Sequence, residues 1–145
     1  MITYVQATAD DFDKLLALRT TVMAEDFKRH EIDVDRTKYY FAKAFQPQYT
    51  SILMIENDEI GCVSVQPGEG GEDELKHFYL YPKFQGYGYG TDVLKRIIRE
   101  QRKNGRNLTL HVFKGSEAIP LYKKHGFNVV EVGDFTERLR LSVVE

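Results

Sequence analysis

Tryptophan is absent from this 145-residue chain, and cysteine occurs once, as Cys62. A single thiol excludes an intramolecular disulfide framework and any CxxC metal site. No apolar run approaches the roughly 18 residues that a membrane-spanning helix needs, so no membrane partner is expected. Nor is there a surplus of positive charge: 20 Lys and Arg stand against 22 Asp and Glu, a formal net charge of −2. Domains that grip nucleic acid through its phosphates are usually distinctly basic, so no nucleic-acid partner is expected either. Asp10, Asp11 and Asp13 stand where the apolar stretch of a secretory signal would lie. Internal repeats, linkers and low-complexity stretches are also lacking. These absences leave one globular domain, residues 1–145, able to bury a core without staples and expected in the cytoplasm.

What is present is an alternation of strand and helix patterns. MITYVQA reads as a strand, and Thr8 with Asp11 three residues on reads as a helix start. Phe12, Leu15, Leu16, Arg19, Val22 and Met23 then recur at helical spacing, with Arg19 the one polar member. A second helix is expected over about Asp35 to Phe45, stopped by Pro47. SILMIE, NDE and IGCVSV form a hairpin pattern, and PGEGGED is a polar loop. ELKHFYLY is the next strand, ended by Pro82. After a glycine run, Val93, Leu94, Ile97 and Ile98 form the apolar stripe of a helix with a basic solvated face. NLTLHV is a strand, SEAIPLYKKH a helix closed by Gly126, and FNVVEV and FTERLRLSVV are two final strands. The expected class is α/β or α+β, with at least one crossover through the helix after the glycines.

The glycine run is QGYGYGT, with Gly86, Gly88 and Gly90 at every second position between a strand and a helix start. The first N–H groups of a helix lack intrahelical partners, and the macrodipole adds about half a positive charge there. Removing side chains lets phosphate oxygens reach those amides. Thr91 adds a hydroxyl donor. Three glycines also suffice to make a plain turn. The dinucleotide fingerprint GxGxxG and the P-loop GxxxxGK[ST] are both absent.

LYPKFQGYGYGT resembles the signature of the Gcn5-related N-acetyltransferase superfamily, Q/R-x-x-G-x-G/A, here Gln85-Gly86-Tyr87-Gly88-Tyr89-Gly90. AIPLYKKHGF, Ala118 to Phe127, resembles the same family's A-x-x-L-Y-x-x-x-G-F element. The resemblance implies that family's fold: a mixed central sheet of about seven strands flanked by about four helices. It implies acetyl-CoA, or another acyl-CoA, as cofactor, with the pyrophosphate on Gln85, Gly86, Tyr87, Gly88, Tyr89, Gly90 and Thr91. It implies that the pantetheine arm pairs with Phe78, Tyr79 and Leu80. Where the family often carries an asparagine for the cofactor arm, this chain reads KGSEA, so Ser116 either substitutes or serves as a helix N-cap.

Acetyl transfer to an amine needs a neutral nitrogen, a donor for the oxyanion and stabilisation of the leaving thiolate. On the resemblance, Tyr122 falls on the family's LY tyrosine and is the candidate acid; its plain alternative is a core residue beside Leu121. Glu74, counted back from Gln85, takes the place of the histone-acetyltransferase glutamate and is the candidate base. Its plain alternative is a solvated loop acid beside Glu69, Glu72 and Asp73. His77 and His111 read as sheet residues, Cys62 as a small buried apolar residue, and no metal site is expected.

In this family the first two helices build much of the acceptor site. Here that region holds Glu25, Asp26, His30, Glu31, Asp33, Asp35, Tyr39 and Tyr40, either an acidic lining for a cationic amine or an exposed charged connection. The expected activity is N-acetyl transfer to a primary amine of a small molecule, peptide or protein, by direct attack in a ternary complex. A non-catalytic acyl-CoA sensor, and a structural domain with an empty glycine turn, are the alternatives. Monomer and homodimer remain equally open.

Overall fold

A computed structural model describes residues 1–143. Its strands are β1 (Thr3–Gln6), β2 (Thr50–Ile55), β3 (Asp58–Pro67), β4 (Glu72–Leu80), β5 (Asn107–Phe113), β6 (Asn128–Val132) and β7 (Thr136–Leu141). Its helices are α1 (Phe12–Val22), α2 (Ala24–Arg29), α3 (Val34–Ala44), α4 (Tyr89–Asn104) and α5 (Ile119–Lys124). The strands form one mixed sheet in the order β1-β2-β3-β4-β5-β7-β6. β1–β2, β2–β3, β5–β7 and β6–β7 pair antiparallel, while β4 and β5 form a parallel ladder that requires the crossover through α4.

The expected strands are all found, but there are five helices rather than four. α2 escaped the pattern because no proline or glycine separates it from α1; only the non-helical backbone at Met23 divides them. The final strand ends at Leu141, and Val144, the last residue of FTERLRLSVV, lies outside the described residues.

The chain divides into two compact units. The first comprises Met1–Val65 and Lys76–Tyr87. Its core gathers Ala7, Leu15, Leu18, Phe41, Ile52 and Cys62, with Tyr79 and Tyr81 packed against it. Arg19, the polar member of the α1 stripe, is 7% exposed. Its guanidinium donates to Thr37 Oγ1 at 3.1 Å and to the Thr37 carbonyl at 3.0 Å, and lies over the rings of Phe27 and Phe41. A cation can occupy that position because aromatic faces and two acceptors replace its water.

The second unit comprises Gln66–Leu75 and the chain from Gly88 onward. α4 buries Val93, Leu94, Ile97, Ile98 and Gln101, and the strands contribute Leu108, Leu110, Leu139 and Leu141. Glu72 and Asp73, expected in a polar loop, instead begin β4. Asp73 accepts from Arg106 at 2.9 Å and from Gln101 at 3.1 Å, while Glu72 is held by Arg138 at 3.0 Å and by Arg140. Those cations come from far along the chain, so local polarity alone misplaced the strand's start.

Candidate functional site

Within the first unit, the end of β4 carries Phe78, Tyr79 and Leu80, all half-buried. β3 approaches it closely. A Cβ placed on Gly61 would lie 2.1 Å from the Tyr79 carbonyl oxygen and 2.9 Å from the Leu80 Cα. Glycine is therefore required at 61 to let the two backbones meet. This residue was not singled out from the sequence, although an isolated glycine inside a strand pattern is the signal for such an approach. A register shift in the β2–β3 ladder lies beside it, between Leu53 and Met54. The Tyr81 N–H then donates to the Ile60 carbonyl at 2.9 Å.

Cys62 sits in the same core at 2% exposure. Burial pushes its thiol up to about 12, which removes it as a nucleophile at neutral pH. Tyr81 is also pushed up, first by burial and then by the nearby Glu59 carboxylate. His77, 7% exposed, has its Nδ1 3.4 Å from the Tyr79 hydroxyl and its ring against Phe41.

The glycine run follows directly from the end of β4. Pro82–Phe84 form a single 3₁₀ turn, and the Gln85 side-chain amide reaches back to the Leu80 carbonyl at 2.9 Å. Gly86 has φ +87° and Gly88 φ +85°, left-handed values that ordinary side chains rarely adopt. A Cβ at either position would meet nothing within 4 Å. These glycines are thus required by backbone conformation and leave open space, the reverse of Gly61. Gly88 is the N-cap of α4 and supplies no side-chain cap; Tyr89, Gly90 and Thr91 form the helix's first turn.

In the second unit, Tyr122 is 7% exposed, and its ring meets Phe127 edge-on at 5.5 Å. Burial pushes its phenol well above its ordinary value, so it stays protonated. Glu74 is a half-buried member of β4 rather than a loop acid, and its Oε2 lies 3.6 Å from His111 Nδ1. Ser116 is not the N-cap of α5; that position is Ala118, which has no side-chain cap. The Ser116 hydroxyl oxygen accepts from the Ala118 N–H at 3.2 Å, closing the turn that leads into the helix.

Three of the acidic residues between the first helices have partners close by in the chain. Asp26 pairs with Arg29 at 2.6 Å and Asp35 with Lys38 at 3.5 Å, while Asp33 caps α3 by accepting from the Asp35 N–H. Tyr39 and Tyr40 are exposed, with Lys43 over the Tyr39 ring. Among the described residues, no group of three or more His, Cys, Asp or Glu side chains is arranged to hold a metal ion. None of the described helices is long and apolar enough to cross a membrane.

The family model for the acetyltransferase (GNAT) domain matches residues 47–129, more than half of the chain. The chain belongs to the GNAT family. Among curated relatives, the [ribosomal protein bS18]-alanine N-acetyltransferase of Haemophilus influenzae is 30% identical over 86 residues, covering 59% of each chain. The matches span 59% and 53% of the length of the curated relatives.

Among solved structures, the ribosomal-protein-S18-alanine N-acetyltransferase of Escherichia coli superposes with a TM-score of 0.70 at 20% identity. That superposition covers 100% of this chain and 96% of the other. The PaiA N-acetyltransferase of Thermoplasma acidophilum, solved with coenzyme A, gives 0.69 at 15% identity, covering 98% and 99%. At these identities the likeness establishes the fold, a GNAT-type mixed sheet with flanking helices.

Proposed function

We propose that this GNAT protein is an acetyl-CoA-dependent N-acetyltransferase that acts on a primary amine by direct attack in a ternary complex. One observation carries the reading: the turn at Gly86 and Gly88 is left-handed, open where side chains would stand, and runs into a helix start without a side-chain cap. Coenzyme A fits such residues, because a pyrophosphate needs N–H donors and a surface free of Cβ atoms. In this reading residues 85–91 hold the pyrophosphate through backbone amides, with the Thr91 hydroxyl beside them. The backbone of Phe78, Tyr79 and Leu80 meets the two amides of the pantetheine arm, and Gly61 fixes that strand end in place. Ser116 is left with its hydroxyl hydrogen to offer, since its oxygen already accepts from Ala118.

When bound, the cofactor supplies an acetyl group activated as a thioester. Tyr122 serves the leaving side. Because burial raises its pKa, it acts as a hydrogen-bond donor to the developing thiolate rather than by giving its proton away. Glu74 serves the proton-accepting side. The ribosomal-protein relatives make the α-amino group of a peptide the first acceptor to try, ahead of small-molecule amines.

The test is a titration with acetyl-CoA and CoA followed by the thermal midpoint, and then turnover on a panel of peptide and alkyl amines. Ligand at 100 times Kd stabilises by about 2.7 kcal/mol, a shift of several degrees at this size. Tyr122→Phe should lower kcat more than it raises the acetyl-CoA KM. Absence of binding overturns the cofactor assignment. Binding without turnover on any amine makes the chain a sensor of acyl-CoA instead.

A further inference from the structure

His111 reads from the strand pattern as an ordinary sheet residue, and its surroundings say otherwise. Its side chain is 50% exposed, and Nδ1 lies 3.6 Å from Oε2 of Glu74, itself 30% exposed. That is ion-pair range rather than a hydrogen bond. Catalytic contacts in ligand-free proteins are often this long and tighten with substrate. The ladder accounts for the meeting. Glu74 pairs with Thr109 across the parallel strands, and His111 stands two residues further on the same side of β5.

A carboxylate at Nδ1 has two consequences. Its negative charge favours a proton over a lone pair on the facing Nδ1, and it stabilises the imidazolium formed when Nε2 takes a proton. Of the charges on the neighbouring strands, Lys76 lies two residues beyond Glu74 on β4, and the two arginines of β7 are engaged by Glu72. Arg138, opposite His111 on β7, is bound to Glu72 at 3.0 Å, and Arg140 is held by the same carboxylate. Glu131 of β6 stands in register with Arg138, and Glu137 of β7 with Val112. The helix packed against β5, α4, buries Val93, Leu94, Ile97, Ile98 and Gln101, none of which titrates.

A carboxylate alone is poorly matched to an alkyl ammonium, with ordinary pKa values of about 4.3 and 10.4. Imidazole is the side chain whose ordinary value falls between about pH 5 and 8. We propose that Nε2 of His111 accepts the proton of the acceptor amine, and that Glu74 is its positioning residue rather than the base. The inference rests on the acyl-transfer reading above. One ammonium proton passes to Nε2. The freed nitrogen forms its bond to the acetyl carbon as the carbon–sulfur bond breaks, and the second nitrogen proton leaves with the sulfur as thiol. His111 then returns its proton to solvent.

Two readouts test this. In the ligand-free protein, the ring ¹⁵N shifts of neutral His111 should report the Nδ1–H tautomer, moving toward Nε2–H in Glu74→Ala and partly back in Glu74→Asp. With any amine that the wild type acetylates, His111→Gln should lower kcat/KM about 100-fold at pH 7 with acetyl-CoA affinity unchanged. The wild-type profile should level off below the amine's own titration. The His111→Gln profile should rise about tenfold per pH unit until it reaches that titration. A variant with the wild-type profile, or a tautomer indifferent to Glu74, overturns the inference while leaving acyl transfer standing. Failure of the wild type to acetylate any amine overturns acyl transfer itself, and this inference with it.

Discussion

The 3₁₀ turn Ala9–Asp11 that leads into α1 and the glycine turn that leads into α4 are built on opposite plans. Before α1, Asp11 Oδ2 accepts from the Thr8 N–H at 2.8 Å and Thr8 Oγ1 accepts from the Asp10 N–H at 3.3 Å, a reciprocal capping box. Lys14 closes on Asp11 at 3.1 Å. α4 begins on Gly88 with φ +85° and no side-chain cap, although it runs for 16 residues. A side-chain cap is worth about 1 kcal/mol, so α4 forgoes stability that the turn before α1 takes. The contrast separates a turn whose donors are met by side chains from a helix start that has no side-chain cap.

The strongest way to break that comparison is Gly88→Leu. The left-handed backbone costs about 1–2 kcal/mol for an ordinary side chain, so the midpoint should fall by several degrees with the fold retained. CoA affinity should fall at least about 100-fold, because the side chain takes the phosphate's place, a loss of about 2.7 kcal/mol. Gly105 at the other end of α4 supplies the control. Its φ is +67° and its Cβ position is equally open, so Gly105→Leu bears a similar backbone cost. Isothermal titration of both variants should show binding lost in the first and kept in the second. Equal affinities would mean that the Gly88 turn is a turn and nothing more.

The same contrast marks what was legible in the sequence. QGYGYGT before an amphipathic stripe, and Thr8 with Asp11 before another, are signals complete within a few residues, and both are found. Features closed by distant partners were not legible. Gly61 is required because the Tyr79 carbonyl arrives from a different strand, and Glu72 belongs to β4 because Arg138 and Arg140 of β7 receive it. His111 looked ordinary because its partner Glu74 lies on β4. Tyr122 was placed by motif, and its burial, which raises the pKa of its phenol, is a property of packing.

A milder change sharpens the comparison from the other side. Thr8→Ala removes the side-chain cap of the turn that leads into α1 and should cost about 1 kcal/mol, or about 3 °C in the thermal midpoint. Acetyl-CoA affinity should be unchanged. A loss of affinity in this variant would show that the two helix starts are energetically linked, and the division into a structural end and a ligand end would fail.

The smallest effect lies in the pH dependence of that cap. The hydrogen bond from the Thr8 backbone holds Asp11 below its ordinary carboxylate value; burial opposes this, and Lys14 adds to the lowering. Where the folded pKa is the lower, the unfolded chain binds more protons over the window between the two values, so stability rises with pH there. The contribution is fully present above the unfolded value of about 3.9 and disappears as pH falls through the folded one. Lys14 has the opposite sign. Burial works against its charge, yet hydrogen bonds to Glu59 and Asp11 outweigh it and raise its pKa, so its contribution is lost only as pH climbs through the folded value. Denaturant unfolding of wild type and Asp11→Asn should therefore give a constant difference of a few tenths of a kcal/mol to about 1 kcal/mol from pH 5 to 8. That difference should shrink toward zero as pH falls below the ordinary carboxylate value and through the lowered folded one. A gap that persists unchanged in acid would assign the cap to geometry rather than to the carboxylate's charge, and the first helix start would then rest on Thr8 alone.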